Sequence, residues 1–288
     1  MKFASISLNG NTIYNLKNIN GNLSPELTDI ISTLNDIIDE KVIGKLIDRL
    51  NSYEYDIIAA QEVLNEDAFK NKILEKGYKI YHTENLSKST RFFSAFLVKE
   101  KWAQENNFTI ENMNLDLSWY KNRFVEISIK NSGNQIKLKL LNVHNPDDKR
   151  ATLTKLMEEL NPNEENIILL GDFNAAKESQ RNDESNRITR KKVIKENTTF
   201  LDDIAGRGFA DMGRDDDFTY KTVGGTENKI DHVFFSDALI KTLVLDKNDK
   251  WEDVKDKVKI VREVNYMEDG NDEKGITDHC MLEFEINF

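Results

Sequence analysis

The stretch Asn166-Ile167-Ile168-Leu169-Leu170-Gly171-Asp172-Phe173-Asn174 carries the clearest fold signal in the chain. Its run of four apolar residues predicts a buried strand, which Gly171-Asp172 ends. Asp and Asn directly after such a strand favour an Asx-turn, in which the side chain bonds a nearby backbone group. Strand ends are also rigid, so the same two side chains are candidates for a catalytic site. These residues alone leave both interpretations open.

Strand and helix signals flank this segment on both sides. Apolar spacing after Ser24-Pro25 predicts a long or broken helix over residues 25–51, and a second helix is predicted over about 149–160. Many strands with helices scattered between them predict an α+β fold of two packed sheets covered by helices. Without a linker or repeat, we expect one domain spanning residues 1–288. Strands are predicted at residues 2–8, 57–60, 78–82, 92–98, 124–129, 136–143, 166–170, 229–235 and 281–288.

Composition and charge limit the classes of protein to which this chain can belong. The 288 residues are 39% hydrophobic with three prolines, which is typical of a globular protein. The net charge of −11 argues against nonspecific coating of DNA, although a local basic track would still permit a nucleic-acid substrate. Cys280 is the single cysteine, so no intrachain disulfide can form. No signal peptide or membrane span is recognisable, so we expect a cytoplasmic protein, or a secreted one if a signal was removed. No obligate protein partner is evident.

Polar residues recur at the ends of the apolar strands. Carboxylates and amides are hard oxygen ligands that suit Mg²⁺ or Mn²⁺, whereas zinc sites usually need Cys or several His. Each residue also has a plainer interpretation: a surface carboxylate at Glu62, a core histidine at His144, a helix cap at Asp278-His279, or a turn at Asn9-Gly10. The candidate site residues are Asn9, Glu62, His144, Asp172, Asn174, Asp231, Asp278 and His279.

The ordered set of motifs resembles the endonuclease/exonuclease/phosphatase superfamily, which includes deoxyribonuclease I and exonuclease III-type nucleases. The Gly-Asp-Phe-Asn tetrapeptide and the late Asp-His pair are the most specific matches. The resemblance implies a four-layer α/β/β/α sandwich of the deoxyribonuclease I type and a metal-dependent phosphoesterase activity. The matching segments, in family order, are Ile6–Asn11, Asp56–Glu62, Leu141–His144, Ile168–Asn174, Lys229–Phe234 and Thr277–Leu282.

The resemblance also implies catalytic roles. Asp172 would orient or deprotonate the attacking water, and Asn174 would hydrogen-bond the phosphoryl group. His279 would contact the scissile phosphate with its tautomer fixed by Asp231, and His144 would act as an acid or a phosphate ligand. No covalent intermediate is expected. The metal ligands would be Glu62, Asn9 and Asp278.

Two departures from the family pattern affect the detail. Many members carry an acidic residue where this chain has Asn11, which places a second metal-binding carboxylate in doubt. Thr277 stands where serine is commoner. A histidine at position 144 resembles the pattern of the deoxyribonuclease I and phosphatase branches. Exonuclease III-type members usually have a tyrosine near this point.

A basic segment at residues 177–195 bears on the substrate. It contains seven basic and three acidic residues, a local charge of +4 within a chain of −11. Such a strip beside a metal suits a polyanionic backbone, and Arg187, Arg190 and Lys191 are the candidate DNA contacts. A solvated charged loop is the plainer interpretation. We therefore predict a DNA endonuclease or other nuclease, with a phosphatase or sphingomyelinase-like enzyme as the alternative. A degenerate binding module is the third hypothesis.

Overall fold

The computed structural model describes most of the segments that carry the motifs. It describes residues 1–8, 44–83, 86, 90–113, 121–145, 154, 157–177, 181–182, 199–214, 218–221, 227–247, 258–262 and 279–286. Within these ranges, no helix is both long enough and apolar enough to cross a membrane.

Sheet I has six strands. Its β1 and β2 are parallel, and its other neighbouring strands are antiparallel. In spatial order the strands are β14 (Lys259–Val261), β15 (Met281–Glu285), β1 (Lys2–Ser7), β2 (Ile57–Leu64), β4 (Phe92–Lys99) and β3 (Tyr78–Tyr81).

Sheet II also has six strands, and β7 and β8 are its one parallel pair. In spatial order the strands are β10 (Phe209–Asp211), β13 (Asp231–Ser236), β8 (Ile167–Asp172), β7 (Ile136–His144), β6 (Phe124–Lys130) and β5 (Thr109–Met113). A small sheet III contains β11 (Tyr220–Lys221), β12 (Glu227–Asn228) and β9 (Arg181–Asn182).

The two large sheets pack face to face around an apolar core. Phe3 and Phe96 of sheet I share one buried cluster with Leu140, Ile168 and other side chains of sheet II. The outer face of sheet I packs on helices α1 (Gly44–Ser52) and α2 (Asp67–Glu75). The outer face of sheet II packs on a helical segment at residues 199–206. The layers are therefore α/β/β/α, because each sheet buries both of its faces.

The prediction of two packed, mostly antiparallel sheets is confirmed. Every predicted strand is present within a few residues of its predicted ends. The strand predicted over 229–235 begins later, at Asp231, because the chain passes from sheet III to sheet II at Lys229-Ile230. Of the predicted helix 25–51, residues 25–43 lie outside the described residues and the rest forms α1, which ends at Ser52.

Several elements were not predicted. They include helices α3 (Glu100–Glu105) and α4 (Asp237–Lys247), helix α2, and the short strands β5, β9, β10, β11, β12 and β14. Apart from the five-residue β5, these strands are two or three residues long, which is too short for a periodicity that a sequence pattern could reveal. That one domain spans the whole chain stays a prediction.

Candidate active site

One end of the space between the sheets is polar. Side chains alternate between the two faces of a strand, so every second residue of β7, β8 and β13 points at sheet I. The apolar positions Leu140, Ile168 and Val233 lie on this face. The same spacing continues to His144, Asp172 and Asp231, which therefore point the same way.

Strand register aligns these three polar residues. His144 of β7 pairs with Asp172 of β8. Asp172 pairs in turn with Asp231 of β13. Directly opposed residues on one face of a sheet are close neighbours. Three candidate residues from three separate motifs thus lie side by side, all nearly buried.

The turn after β8 is fixed by its own polar side chains. Asp172 Oδ1 accepts the backbone N–H of Asn174 at 2.9 Å, which is the Asx-turn considered above. Asn174 has a positive φ of 47°. Its Nδ2 donates to the backbone oxygen of Asn145 at 2.8 Å and to Asp172 Oδ2 at 3.2 Å. The Asx-turn therefore holds the Asp172 carboxylate in place.

Asn145 completes this turn and was not singled out from the sequence. Its backbone N–H donates to the oxygen of Asp172 at 2.8 Å, and its side chain donates to the oxygen of Phe173 at 3.1 Å. Asn145 directly follows His144, so the ends of β7 and β8 are bonded together at the site. An Asn directly before the first proline after β7 looks like an ordinary turn residue, which explains why it was missed.

Glu62 reaches the site from sheet I. It has a positive φ of 54°, and the pairing of β2 with β4 shifts register between Ala60 and Val63. Such a bulge redirects a side chain at the end of a strand. His144 Nε2 lies 3.9 Å from Glu62 Oε1 and 3.8 Å from Asp172 Oδ2. The Nε2 atom of His144 is therefore close to both carboxylates.

A buried hydrogen-bond network joins the two sheets beneath Glu62 and His144. Gln61 Nε2 donates to Asn142 Oδ1 at 2.7 Å. Asn142 Nδ2 donates to the backbone oxygens of Ala60 and Ala95 at 2.9 and 2.8 Å. Asn142 thus fixes the separation of β7 from β2 and β4. Its sequence signal is a polar residue inside the apolar stretch Leu140–Val143.

Arg123 is a second residue that the sequence did not reveal. Its Nη1 lies 2.9 Å from both ring nitrogens of His144, and its guanidinium lies over the ring of Phe92. Burial holds the pKa of His144 well below its usual range, and the neighbouring Arg123 and His279 side chains lower it further. This environment favours a neutral His144 imidazole.

His279 and Asp231 form the other half of the site. His279 Nδ1 lies 2.9 Å from Asp231 Oδ2, and both side chains are buried. A carboxylate accepts hydrogen bonds, so this contact places a proton on Nδ1. The ring of Tyr220 packs 5.0 Å from the ring of His279. His279 lies two residues before β15 of sheet I, whereas Asp231 begins β13 of sheet II.

His232 lies outside the site and supports the turn after β8 from the opposite face. Its Nε2 donates to the oxygen of Ala175 at 2.8 Å, and its Nδ1 lies 3.0 Å from Asp211 Oδ2. Lys229 Nζ also contacts Asp211. Burial alone would raise the pKa of Asp211, but His232 and Lys229 outweigh it and hold that pKa at about 2.

Oxygen donors dominate the part of the site that the structure describes. Glu62, Asp172 and Asn174 supply carboxylate and amide oxygens, which suit Mg²⁺ or Mn²⁺. Within the described ranges, no group of three or more His, Cys, Asp or Glu side chains has metal-binding geometry. Two predicted ligands, Asn9 and Asp278, lie outside those ranges, as do Arg187, Arg190 and Lys191. This donor chemistry fits a hard divalent cation, and Glu62 is the one predicted metal ligand that lies within the described ranges.

A profile of the Endonuclease/Exonuclease/phosphatase family matches residues 18–279. The chain belongs to this family. Its members are phosphoesterases, mostly nucleases. No curated protein matches the sequence significantly.

Solved structures share this fold. The AP endonuclease LMAP from Leishmania major is 12% identical with a TM-score of 0.61, over 99% of this chain and 86% of that one. TDP2 of D. rerio, complexed with a single-strand DNA product, is 14% identical with a TM-score of 0.56, over 100% and 99% of the two chains. The Xenopus laevis APE2 catalytic domain is 16% identical with a TM-score of 0.55, over 99% and 91%. At these identities the likeness shows the fold alone.

Proposed function

We propose that this protein is a divalent-metal-dependent phosphodiesterase that cleaves DNA, acting as an endonuclease. The observation that carries the proposal is the alignment of His144, Asp172 and Asp231 on neighbouring strands, with Glu62 of sheet I beside His144 and with His279 bonded to Asp231. Two carboxylates, a neutral imidazole and an Asp–His pair at one end of the space between the sheets are the groups that phosphoester hydrolysis needs.

Asp172 is the proposed base for the attacking water. Asn174 bonds one of its oxygens through Nδ2 and the other through the backbone N–H, so the carboxylate has one orientation. A fixed base loses little freedom when the water is deprotonated. Both hydrogens of Asn174 Nδ2 already have acceptors. Asn174 can therefore donate to the phosphoryl group only if Nδ2 gives up one of these bonds. The bond to Asp172 Oδ2 is the longer of the two.

His279 and His144 are the proposed phosphate contacts. Asp231 holds the Nδ1 proton of His279 and stabilises the ring when it is protonated. His144 is held in a neutral state, which suits a hydrogen bond to a phosphate oxygen better than proton donation. Arg123 lies against His144 and would add positive charge where the phosphate binds. A divalent cation, held by Glu62 and by Asn9 and Asp278, would neutralise charge on the phosphate.

DNA is the proposed substrate on two grounds. The basic segment 177–195 begins three residues after Asn174 in the sequence, and we infer that it starts at the rim of the site. In addition, the relatives of the same fold include an enzyme named as an AP endonuclease and a TDP2 structure complexed with a single-strand DNA product.

A nicking assay tests the substrate. With Mg²⁺, the protein is expected to convert supercoiled plasmid to open circles, because the basic segment favours a polyanionic backbone. Sphingomyelin vesicles should release no phosphocholine above background, and inositol phosphates should release no inorganic phosphate. The control is the Asp172→Ala variant, which must be inactive so that a contaminating nuclease is excluded. If the protein hydrolyses sphingomyelin or an inositol phosphate and leaves the plasmid intact, it is a sphingomyelinase-like enzyme or a phosphatase and not a nuclease.

The metal requirement is tested at Glu62. EDTA should stop cleavage and added Mg²⁺ should restore it. In Glu62→Gln, the Mg²⁺ concentration for half-maximal activity should rise by at least about tenfold, because outer-shell changes alone cost 10–100-fold in metal affinity. Glu111→Gln is the matched control, since Glu111 pairs with Lys130 in sheet II. An unchanged Mg²⁺ dependence in Glu62→Gln would remove Glu62 from the ligand set.

A further inference from the structure

We propose that Thr219 is a positioning residue that holds Asp231 against His279. The proposal deepens the proposed function and rests on it for the role of this pair. Asp231 and His279 are 48 residues apart and belong to segments of different sheets. A hydrogen bond between two sheets stays short only if something fixes the two backbones relative to each other.

Thr219 bonds the backbone on the Asp231 side through its hydroxyl. Its Oγ1 accepts the N–H of Ile230 at 3.1 Å and the N–H of Asp231 at 3.0 Å. A hydroxyl oxygen has two lone pairs, so one threonine can accept both bonds. These N–H groups lie where the chain leaves sheet III for β13, and Thr219 itself is fully buried.

The same residue bonds the backbone on the His279 side through its carbonyl. The N–H of Cys280, which follows His279, donates to the oxygen of Thr219 at 2.6 Å. The next residue, Tyr220, forms an isolated bridge with His279 and packs its ring on the imidazole. Thr219-Tyr220 is therefore bonded to both halves of the Asp–His pair.

Sheet III keeps this connection rigid. The N–H of Thr219 donates to the oxygen of Asn228 at 3.0 Å, and Tyr220 pairs with Asn228 in the ladder of β11 and β12. Asn228 lies three residues before Asp231 in the chain. The hydroxyl is thus the part of Thr219 that acts directly on Asp231, while the backbone bonds hold Thr219 itself.

The test compares three variants of the full chain. Thr219→Val keeps the shape but removes the acceptor, and Thr219→Ser keeps the acceptor. Thr242→Val is the matched control, because Thr242 is a hydroxyl donor on α4. Should Thr219→Val fail to fold, Thr219→Cys replaces it, since sulfur is a weak acceptor.

The first readout does not depend on activity. A histidine N–H donated to a buried carboxylate gives a downfield proton resonance, which the Asp231→Ala variant assigns to His279. We expect this resonance in the wild type, Thr219→Ser and Thr242→Val, and its loss in Thr219→Val. Its persistence in Thr219→Val would overturn the proposal, even if the wild type hydrolyses no phosphoester and the proposed function fails.

The second readout is kinetic. In Thr219→Val, kcat should fall about tenfold or more with KM within about twofold, because the residue acts through a group that works in the transition state. In the Asp231→Ala background, the same change should alter kcat less than about twofold, since coupled residues are not additive. A merely structural role would lower Tm and leave kcat at permissive temperature unchanged, and that result would also overturn the proposal.

Discussion

Replacing Asp172 by asparagine is expected to lower kcat by about 10³–10⁴-fold, the upper range for a general base. The asparagine oxygen can still accept the backbone N–H of Asn174, so the turn after β8 should stay in place. What disappears is the negative charge of the proposed base, together with the bond that Asp172 Oδ2 accepts from Asn174 Nδ2. The measurement is single-turnover plasmid cleavage together with a circular-dichroism melting curve.

The control for this variant is Asp202→Asn, which changes an exposed aspartate of the helical segment 199–206. It should leave kcat unchanged. His279→Ala is expected to cause a loss similar to that of Asp172→Asn, and the double variant should lose little more, because residues that act as one unit are strongly non-additive. Retained cleavage in either single variant would remove that residue from the catalytic site.

Strand-level features of the site could be predicted because they depend on local pattern. The apolar runs before Glu62, His144 and Asp172 predict buried strands, and a polar residue at the end of each run is visible in the sequence. The alignment of these polar residues across strands could not be predicted in the same way. Whether His144 lies opposite Asp172 depends on register, which is set by the packing of whole strands.

The supporting residues could not be predicted for a related reason. Thr219, Arg123 and Asn145 act through bonds to segments that are distant in the chain, and threonine, arginine and asparagine are common on any surface. Asn142 gave a usable signal, since a buried strand seldom carries an amide without a partner. A polar residue within an apolar strand therefore marks a hydrogen bond between the sheets better than a loop residue does.

The two interpretations of the Gly171–Asn174 segment proved compatible. The Asx-turn was the plain alternative to a catalytic site, yet the same hydrogen bonds that make the turn also orient Asp172. A turn residue with a fixed carboxylate meets the requirement of a general base for a defined position. In this segment, local turn chemistry and the proposed catalysis depend on the same atoms.

Gly171→Ala is expected to destabilise the protein strongly. Gly171 has a φ of +135°, a backbone conformation that residues with a side chain rarely adopt. A Cβ there would lie 2.0 Å from the backbone oxygen of Val143. Backbone strain and overpacking each cost up to about 3 kcal/mol, so we expect a loss of about 3–5 kcal/mol in the free energy of unfolding. Urea denaturation measures this loss.

Gly206→Ala is the matched control, because its Cβ would meet no atom within 4 Å and its φ is not in the left-handed region. Its free energy of unfolding should change by less than about 1 kcal/mol. Gly171 pairs with Val143 one step before His144 pairs with Asp172, so the close approach of β7 and β8 also sets the site. A stable Gly171→Ala protein with full activity would show that this approach is not required. A stable but inactive one would show that the approach aligns His144 with Asp172.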